Sequence, residues 1–108
     1  MIEYHNLKAL NLLEQVKLKL ICRRGYKKLK RVFPDSKLKI EIKVHEDGNN
    51  KKRKFSLHGK ILDPSLKIAT TKAVDWDISK VTHKLMEKLR SESYKKERLL
   101  PDYLKAKR

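Results

Sequence analysis

The sequence predicts an α+β domain of order β-α-β-β-β-α, in which two parallel helices pack on one face of a four-stranded sheet. Residues 37–44 alternate strictly between charged and apolar side chains, which is typical of a strand with one buried face. Two longer segments, from about residue 11 to 33 and from 75 to 98, place apolar residues at helical spacing. At 108 residues the chain is long enough for one modest core. We expect residues 1–98 to form that domain and residues 99–108 to form a flexible basic tail.

The strands are predicted from alternation and from the turns between them. Residues 3–8 alternate weakly and supply a short first strand. Residues 37–44 and 54–61 form an antiparallel hairpin, because residues 46–52 between them are rich in Asp, Gly and Asn, which favour turns. A second turn, at residues 63–65, leads into a strand at residues 66–71. The side chains expected to share one side of each of the last three strands are Leu38, Ile40, Ile42 and Val44, then Phe55, Leu57, Gly59 and Ile61, then Leu66, Ile68 and Thr70.

The first helix is predicted to open at Asn11, because Asn11 and Glu14 have the spacing of a capping box. Its pattern continues to about Phe33, and Pro34 ends it. Gly25 falls on the apolar side, where a close approach to the sheet would account for it. Three apolar residues fall instead on the basic side, so either the helix starts after Asn11 or its first turns pack against another surface. These residues are Leu13, Val16 and Leu20.

The second helix is predicted to open at Asp75 as its N-cap and to continue to around Arg98. We expect Trp76, beside that cap, to anchor the helix rather than to stack on a nucleic-acid base. The core stripe consists of Ile78, Val81, Leu85 and Leu89. A separate polar stripe consists of Lys80, Lys84, Lys88, Ser91, Lys95 and Arg98.

The charge balance predicts an anionic partner. Against 29 Lys and Arg residues the chain has 13 Asp and Glu, which gives a net charge of +16 and a pI near 10.1. Among RNA, DNA and acidic membranes, the membrane is the weakest candidate, because no run of about 18 apolar residues occurs. The N-terminus does not resemble a secretory signal, and a single cysteine does not require an oxidising compartment. We therefore expect a cytoplasmic protein.

The basic charge is concentrated on the helices. Residues 12–33 hold eight basic side chains and one acid, Glu14. Solubility alone usually mixes charges of both signs on a surface. We therefore favour a surface that contacts phosphates, which gives strong binding independent of sequence.

Catalysis and metal binding find little support in the sequence. The four histidines, at 5, 45, 58 and 83, have no His or Cys partner at ligand spacing. Ser56 and His58 lie two apart on a strand without an evident acid, and the three glycines form no phosphate loop. We expect no enzyme activity, no cofactor and no metal. The strands also lack paired aromatic residues, which argues against a sheet surface that stacks single-stranded bases.

Three segments carry a resemblance to a known family: YKKLKRVFPDSKLKIEIKVHE at 26–46, FSLHGKI at 55–61 and ATTKAVDWDISKVTHKLMEKL at 69–89. By their order, lengths and pattern the chain resembles the short form of the ribosome hibernation-promoting factors. These are also called ribosome-associated translation inhibitors or sigma modulation proteins. The resemblance covers about residues 3–97.

The resemblance implies a fold similar to double-stranded RNA-binding domains and docking of both helices on rRNA in the mRNA/tRNA channel of the small ribosomal subunit. Such docking silences ribosomes in stationary phase or under stress. We expect a monomer. The chain lacks the C-terminal domain through which longer members pair ribosomes, so both the promotion of ribosome dimers and the silencing of single ribosomes stay open. Lys80, Lys84 and Arg90 depart from several relatives, which have small or acidic residues there. The implied RNA-binding residues are Arg23, Arg24, Lys27, Lys28, Arg31, Lys84, Lys88, Lys95 and Lys96.

Two other functions stay open at this stage. One is a general double-stranded RNA-binding domain, although the chain lacks the lysine-rich loop that usually precedes the last helix of that class. The other is a protein-binding modulator of transcription. Neither would involve a membrane or a small-molecule substrate.

Overall fold

The chain forms a four-stranded mixed sheet and two long helices, which confirms the predicted α+β class. A computed structural model describes residues 1–46, 52–64 and 67–98. The strands are β1 (Ile2–His5), β2 (Lys37–Glu46), β3 (Arg53–Asp63) and β4 (Lys67–Asp75), and the helices are α1 (Leu12–Val32) and α2 (Ile78–Arg98). A 3-10 turn, Leu7–Ala9, precedes α1. Most of the expected turn at residues 46–52 and all of the expected tail at residues 99–108 lie outside the described residues.

The sheet has the order β1-β2-β3-β4. The first strand lies parallel to β2, and the other neighbouring pairs are antiparallel. Alternation places one side of each strand in the core, including Leu38, Ile40, Phe55 and Leu57. The opposite side of the sheet faces away from the helices and carries mostly charged side chains.

The start of α1 agrees with the prediction. The Asn11 side chain accepts a hydrogen bond from the Glu14 backbone N–H at 2.8 Å, and Glu14 Oε1 accepts one from the Asn11 backbone N–H at 2.9 Å. The helix therefore begins at Leu12, and a later start does not explain the three apolar residues on its basic side. Those residues, Leu13, Val16 and Leu20, are exposed.

Two predictions about the end of the sheet and the start of α2 were wrong. Strand β4 extends through Asp75, which pairs with Phe55, so Asp75 lies in the sheet and does not cap the helix. The cap is Asp77, whose carboxylate accepts a hydrogen bond from the Lys80 backbone N–H at 2.9 Å. Along β4, Ala69 and Ala73 are buried, whereas Thr70 is exposed. Thr70, which had been grouped with Leu66 and Ile68 on one side of the strand, therefore lies on the side away from the core, and Leu66 lies outside the described residues.

The packing of α2 depends on two glycines. A Cβ atom on Gly59 of β3 would lie 2.7 Å from Leu89 Cδ1, so the absence of a side chain lets α2 approach the sheet closely. A Cβ atom on Gly25 would lie 2.6 Å from Met86 Cε and 3.2 Å from Met86 Cβ. Gly25 thus serves the contact between the two helices, not the contact with the sheet that its apolar position had suggested.

One arginine joins the start of α1 to the β2–β3 hairpin. Arg53 donates to the Ala9 carbonyl oxygen at 2.7 Å and to Glu14 Oε1 at 3.0 Å, and its other terminal nitrogen donates to Glu46 Oε1 at 3.2 Å. Its side chain is 28% exposed and that of Glu14 only 13%, so solvent screens this pair less than an open surface pair. The only acidic side chain of α1 is therefore engaged at its first turn.

The helix contact predicts the effect of enlarging Gly25. We expect Gly25→Val to lower the free energy of unfolding by about 1–3 kcal/mol, because the branched side chain forces Met86 and its helix outward. Urea unfolding followed by circular dichroism measures this change. The matched control is Lys27→Val, an exposed position in the same helix, for which a change within about 0.5 kcal/mol is expected. Equal stability of the two variants would contradict the close contact.

Candidate nucleic-acid interface

The basic side of α1 carries cations that no acid of the described part pairs with. All five predicted positions on this helix are exposed, and none forms an ion pair or side-chain hydrogen bond within the described part of the chain. Four and seven residues separate members of the set, which brings them onto one broad face. Their charges are therefore uncompensated within the fold and accessible to phosphate. These residues are Arg23, Arg24, Lys27, Lys28 and Arg31.

A groove between the helices extends this surface. Arg24 and Lys28 line it from α1, and α2 contributes the side chains of His83, Glu87 and Arg90. Its floor consists of Ile21, Gly25 and Met86. The close contact at Gly25 brings the two rims near each other, so that cations from both helices face the same opening. Of the groove's five polar side chains, three are permanently cationic and Glu87 is the only acid.

The groove includes His83 and Arg90, which were not in the predicted site set. His83 had been considered only as a metal ligand, and Arg90 as a position that departs from several relatives. The guanidinium of Arg90 lies 5.6 Å from the centre of the Tyr94 ring, which in turn packs against Phe33 with ring centres 6.2 Å apart. A spacing of seven residues between 83 and 90 does place both on one side of a helix. The sequence alone did not show that this side faces α1.

The lysine stripe of α2 lies on its other flank. Lys84 Nζ donates to Asp75 Oδ2 at 2.7 Å, and Lys88 Nζ donates to the Lys72 carbonyl oxygen at 3.0 Å. Both acceptors belong to β4, so these two lysines lean toward the edge of the sheet and away from the groove. Lys95 lies 3.6 Å from Glu92, and the side chain of Lys96 is outside the described part. The structure therefore does not join this stripe to the α1 face in one continuous surface.

The contact with Lys84 changes the pKa of the Asp75 carboxyl. The hydrogen bond from Lys84, followed by one from the Asp77 backbone N–H, lowers the pKa of Asp75 below its ordinary value. Asp75 also accepts from the Trp76 backbone N–H at 2.6 Å, so its carboxylate closes the turn between β4 and α2. Lys84 thus has a structural role at this turn, which reduces its availability to an external phosphate.

Other features of the described residues do not offer a second kind of site. Within residues 1–46, 52–64 and 67–98 no cluster of three or more His, Cys, Asp or Glu side chains is positioned to hold a metal ion. Cys22 is buried, and burial raises the pKa of its thiol to about 12, so the thiolate nucleophile is suppressed. No helix in the same part is long and apolar enough to cross a membrane.

Comparison with known proteins adds no family assignment. No family model matches the chain, and no curated protein matches it.

The Asp75 contact yields a prediction about pH. We expect Lys84→Ala to raise the pKa of the Asp75 carboxyl toward its ordinary value, as measured by NMR titration of the carboxyl carbon. Because the folded-state pKa is depressed, the pair stabilises the fold at neutral pH, and this contribution is lost as the pH falls through the folded-state pKa. Lys80→Ala is the control, since the exposed Lys80 side chain has no partner in the described part. An unchanged Asp75 pKa in the Lys84 variant would refute the contact.

Proposed function

We propose that this protein is a non-enzymatic, ribosome-binding translation silencer that docks on small-subunit rRNA through α1 and the groove beside it. The observation that carries the proposal is the row of uncompensated cations at positions 23, 24, 27, 28 and 31. Arginine and lysine on a rigid helix neutralise backbone phosphates and release counterions, which supplies affinity without reading sequence. Such a mode suits a structured RNA whose shape is fixed.

The arrangement of the elements supports the likeness to hibernation-promoting factors and double-stranded RNA-binding domains. A single strand, a helix, three strands and a second helix follow one another along the chain. Gly25 meets Met86 near the middle of both helices, and Phe33 meets Tyr94 toward the C-terminal end of each. Those two contacts correspond to helices that run in the same direction, as the resemblance implies.

Exposed apolar residues extend the proposed docking face. Leu13, Val16 and Leu20 lie one to three turns before the cations on the same side of α1, and Leu13 is 63% exposed. A contiguous apolar patch on a surface usually marks an interaction site. A ribosome presents both protein and RNA surfaces, so a mixed apolar and cationic face fits it better than a bare duplex.

The proposal places the main contribution on α1 and the groove, and a smaller one on the lysine stripe of α2. Lys84 and Lys88 already have acceptors within the fold. Recruiting them to phosphate would break these contacts, which offsets part of the gain. Within the described part Lys95 pairs with Glu92 on the same exposed helix surface and with no other acid, so it remains more available.

Charge reversal on α1 tests the proposal. We expect Arg23→Glu combined with Lys27→Glu to abolish sedimentation with purified small subunits and to prevent inhibition of translation in a reconstituted system. The physical reason is that two phosphate contacts become repulsive. The matched control is Lys43→Glu combined with Lys60→Glu, which changes the net charge equally on the opposite side of the sheet and should preserve sedimentation.

Two results would contradict the proposal. One is equal loss of ribosome binding by the α1 and sheet variants, which would indicate attraction by net charge alone. The other is equal affinity of the unaltered protein for free duplex RNA and for ribosomes at physiological salt, which would favour a general double-stranded RNA-binding domain.

A further comparison uses two double variants. The loss of ribosome binding is expected to be smaller for Lys84→Ala with Lys88→Ala than for Arg24→Ala with Lys28→Ala.

A further inference from the structure

The open side of the sheet carries a second cationic surface, separate from the helices. Within the described residues this surface, which we call the sheet face, contains six lysines and two acids, Glu3 and Glu41. Both acids lie beside histidines, Glu3 at 3.1 Å from His5 and Glu41 at 3.8 Å from His58. None of the lysines forms an ion pair in the described part. The six are Lys37, Lys39, Lys43, Lys54, Lys60 and Lys72.

One pair of lysines is placed in a way that costs stability. Lys39 lies directly opposite Lys60 in the β2–β3 register, while its neighbour in the β1–β2 register is Glu3. Like charges directly opposite each other on one face of a sheet are destabilising. Solubility would be served equally well by mixed charges. A polyanion bound across the strands relieves this repulsion.

An exposed aromatic ring lies at the corner of this surface. Trp76 had been expected to anchor α2, but it is 55% exposed. The Lys54 ammonium lies 5.6 Å from the centre of its ring, and Lys52 and Arg53 border the shallow pocket beside it. The exposed ring therefore has cationic neighbours on the β3 side.

We propose that the sheet face binds single-stranded nucleic acid, with Trp76 stacking one base and the lysines following the backbone phosphates. A cationic surface that tracks the backbone, together with aromatic rings for stacking, is the usual arrangement for such binding. The strands themselves lack paired aromatic residues, so the stacking contact proposed here is the single exposed ring of Trp76 just after β4. The exposed ring favours a single strand, because duplex bases are already stacked and paired. This surface lies on the other side of the sheet from α1 and α2, so it is independent of the proposed ribosome docking.

The tryptophan provides a direct test, since the chain has only one. We expect a short oligouridylate to quench Trp76 fluorescence in a saturable manner, and a blunt RNA duplex of equal length to quench it much less. The combination Lys43→Glu with Lys60→Glu should weaken oligouridylate binding by about tenfold or more. The α1 combination Arg23→Glu with Lys27→Glu should change it far less, although the net charge changes equally.

Two further variants separate binding from folding. Trp76→Leu should weaken binding of a fluorescently labelled oligouridylate by about tenfold, as measured by anisotropy, because one stacking contact is lost. Lys60→Glu alone should raise the urea midpoint of unfolding while weakening binding, since it replaces repulsion from Lys39 with attraction.

Three outcomes would overturn the inference: absence of quenching, equal quenching by duplex and single strand, or equal weakening by the α1 and sheet variants. Failure of this inference is distinguishable from failure of the ribosome proposal. The sheet variant is expected to lose oligouridylate and keep ribosomes, and the α1 variant is expected to do the opposite.

Discussion

The close approach of α2 to both the sheet and α1 is the constraint on which the rest of the structure depends. The lack of a side chain at Gly59 lets Leu85 and Leu89 pack against the sheet, and the lack of one at Gly25 lets Met86 pack against α1. With the core side of α2 fixed, its two flanks acquire different neighbours. The flank of His83 and Arg90 meets α1 and forms the groove, and the flank of Lys84 and Lys88 meets β4. The absence of two side chains thus determines which cations remain available to a partner.

Four of the 13 acids of the chain stabilise the fold through local contacts. Glu14 and Glu46 hold Arg53, Asp75 holds Lys84, and Asp77 caps α2. Because these acids are engaged in local contacts, the cations of the α1 site and the lysines of the sheet face form no ion pairs in the described part. A domain with a net charge of +16 resists compaction by self-repulsion, so a bound polyanion stabilises it. Under the proposed function, binding of RNA and folding are therefore linked through the uneven distribution of charge.

Local signals made part of the fold predictable. The capping box at Asn11 and Glu14 and the alternation along β2 and β3 each involve residues close in sequence. The predictions were wrong where contacts between residues distant in the sequence determine the structure. Asp75 and Asp77 both suit an N-cap, and only the pairing of β4 with β3 as far as Phe55 excludes Asp75. Likewise, the sequence was enough to name the basic positions of α1. It was not enough to predict the neighbours of Lys84, because these depend on the position of β4.

The most direct test of the account is an image of the protein on the small ribosomal subunit at side-chain resolution. Docking through α1 predicts that Arg90 lies across the groove and that five cations lie against rRNA phosphates: Arg23, Arg24, Lys27, Lys28 and Arg31. The same docking predicts that the sheet face with Trp76 points away from the rRNA that α1 contacts. A complex in which the sheet face contacts rRNA while α1 faces solvent would contradict it, as would the absence of the protein from the ribosome.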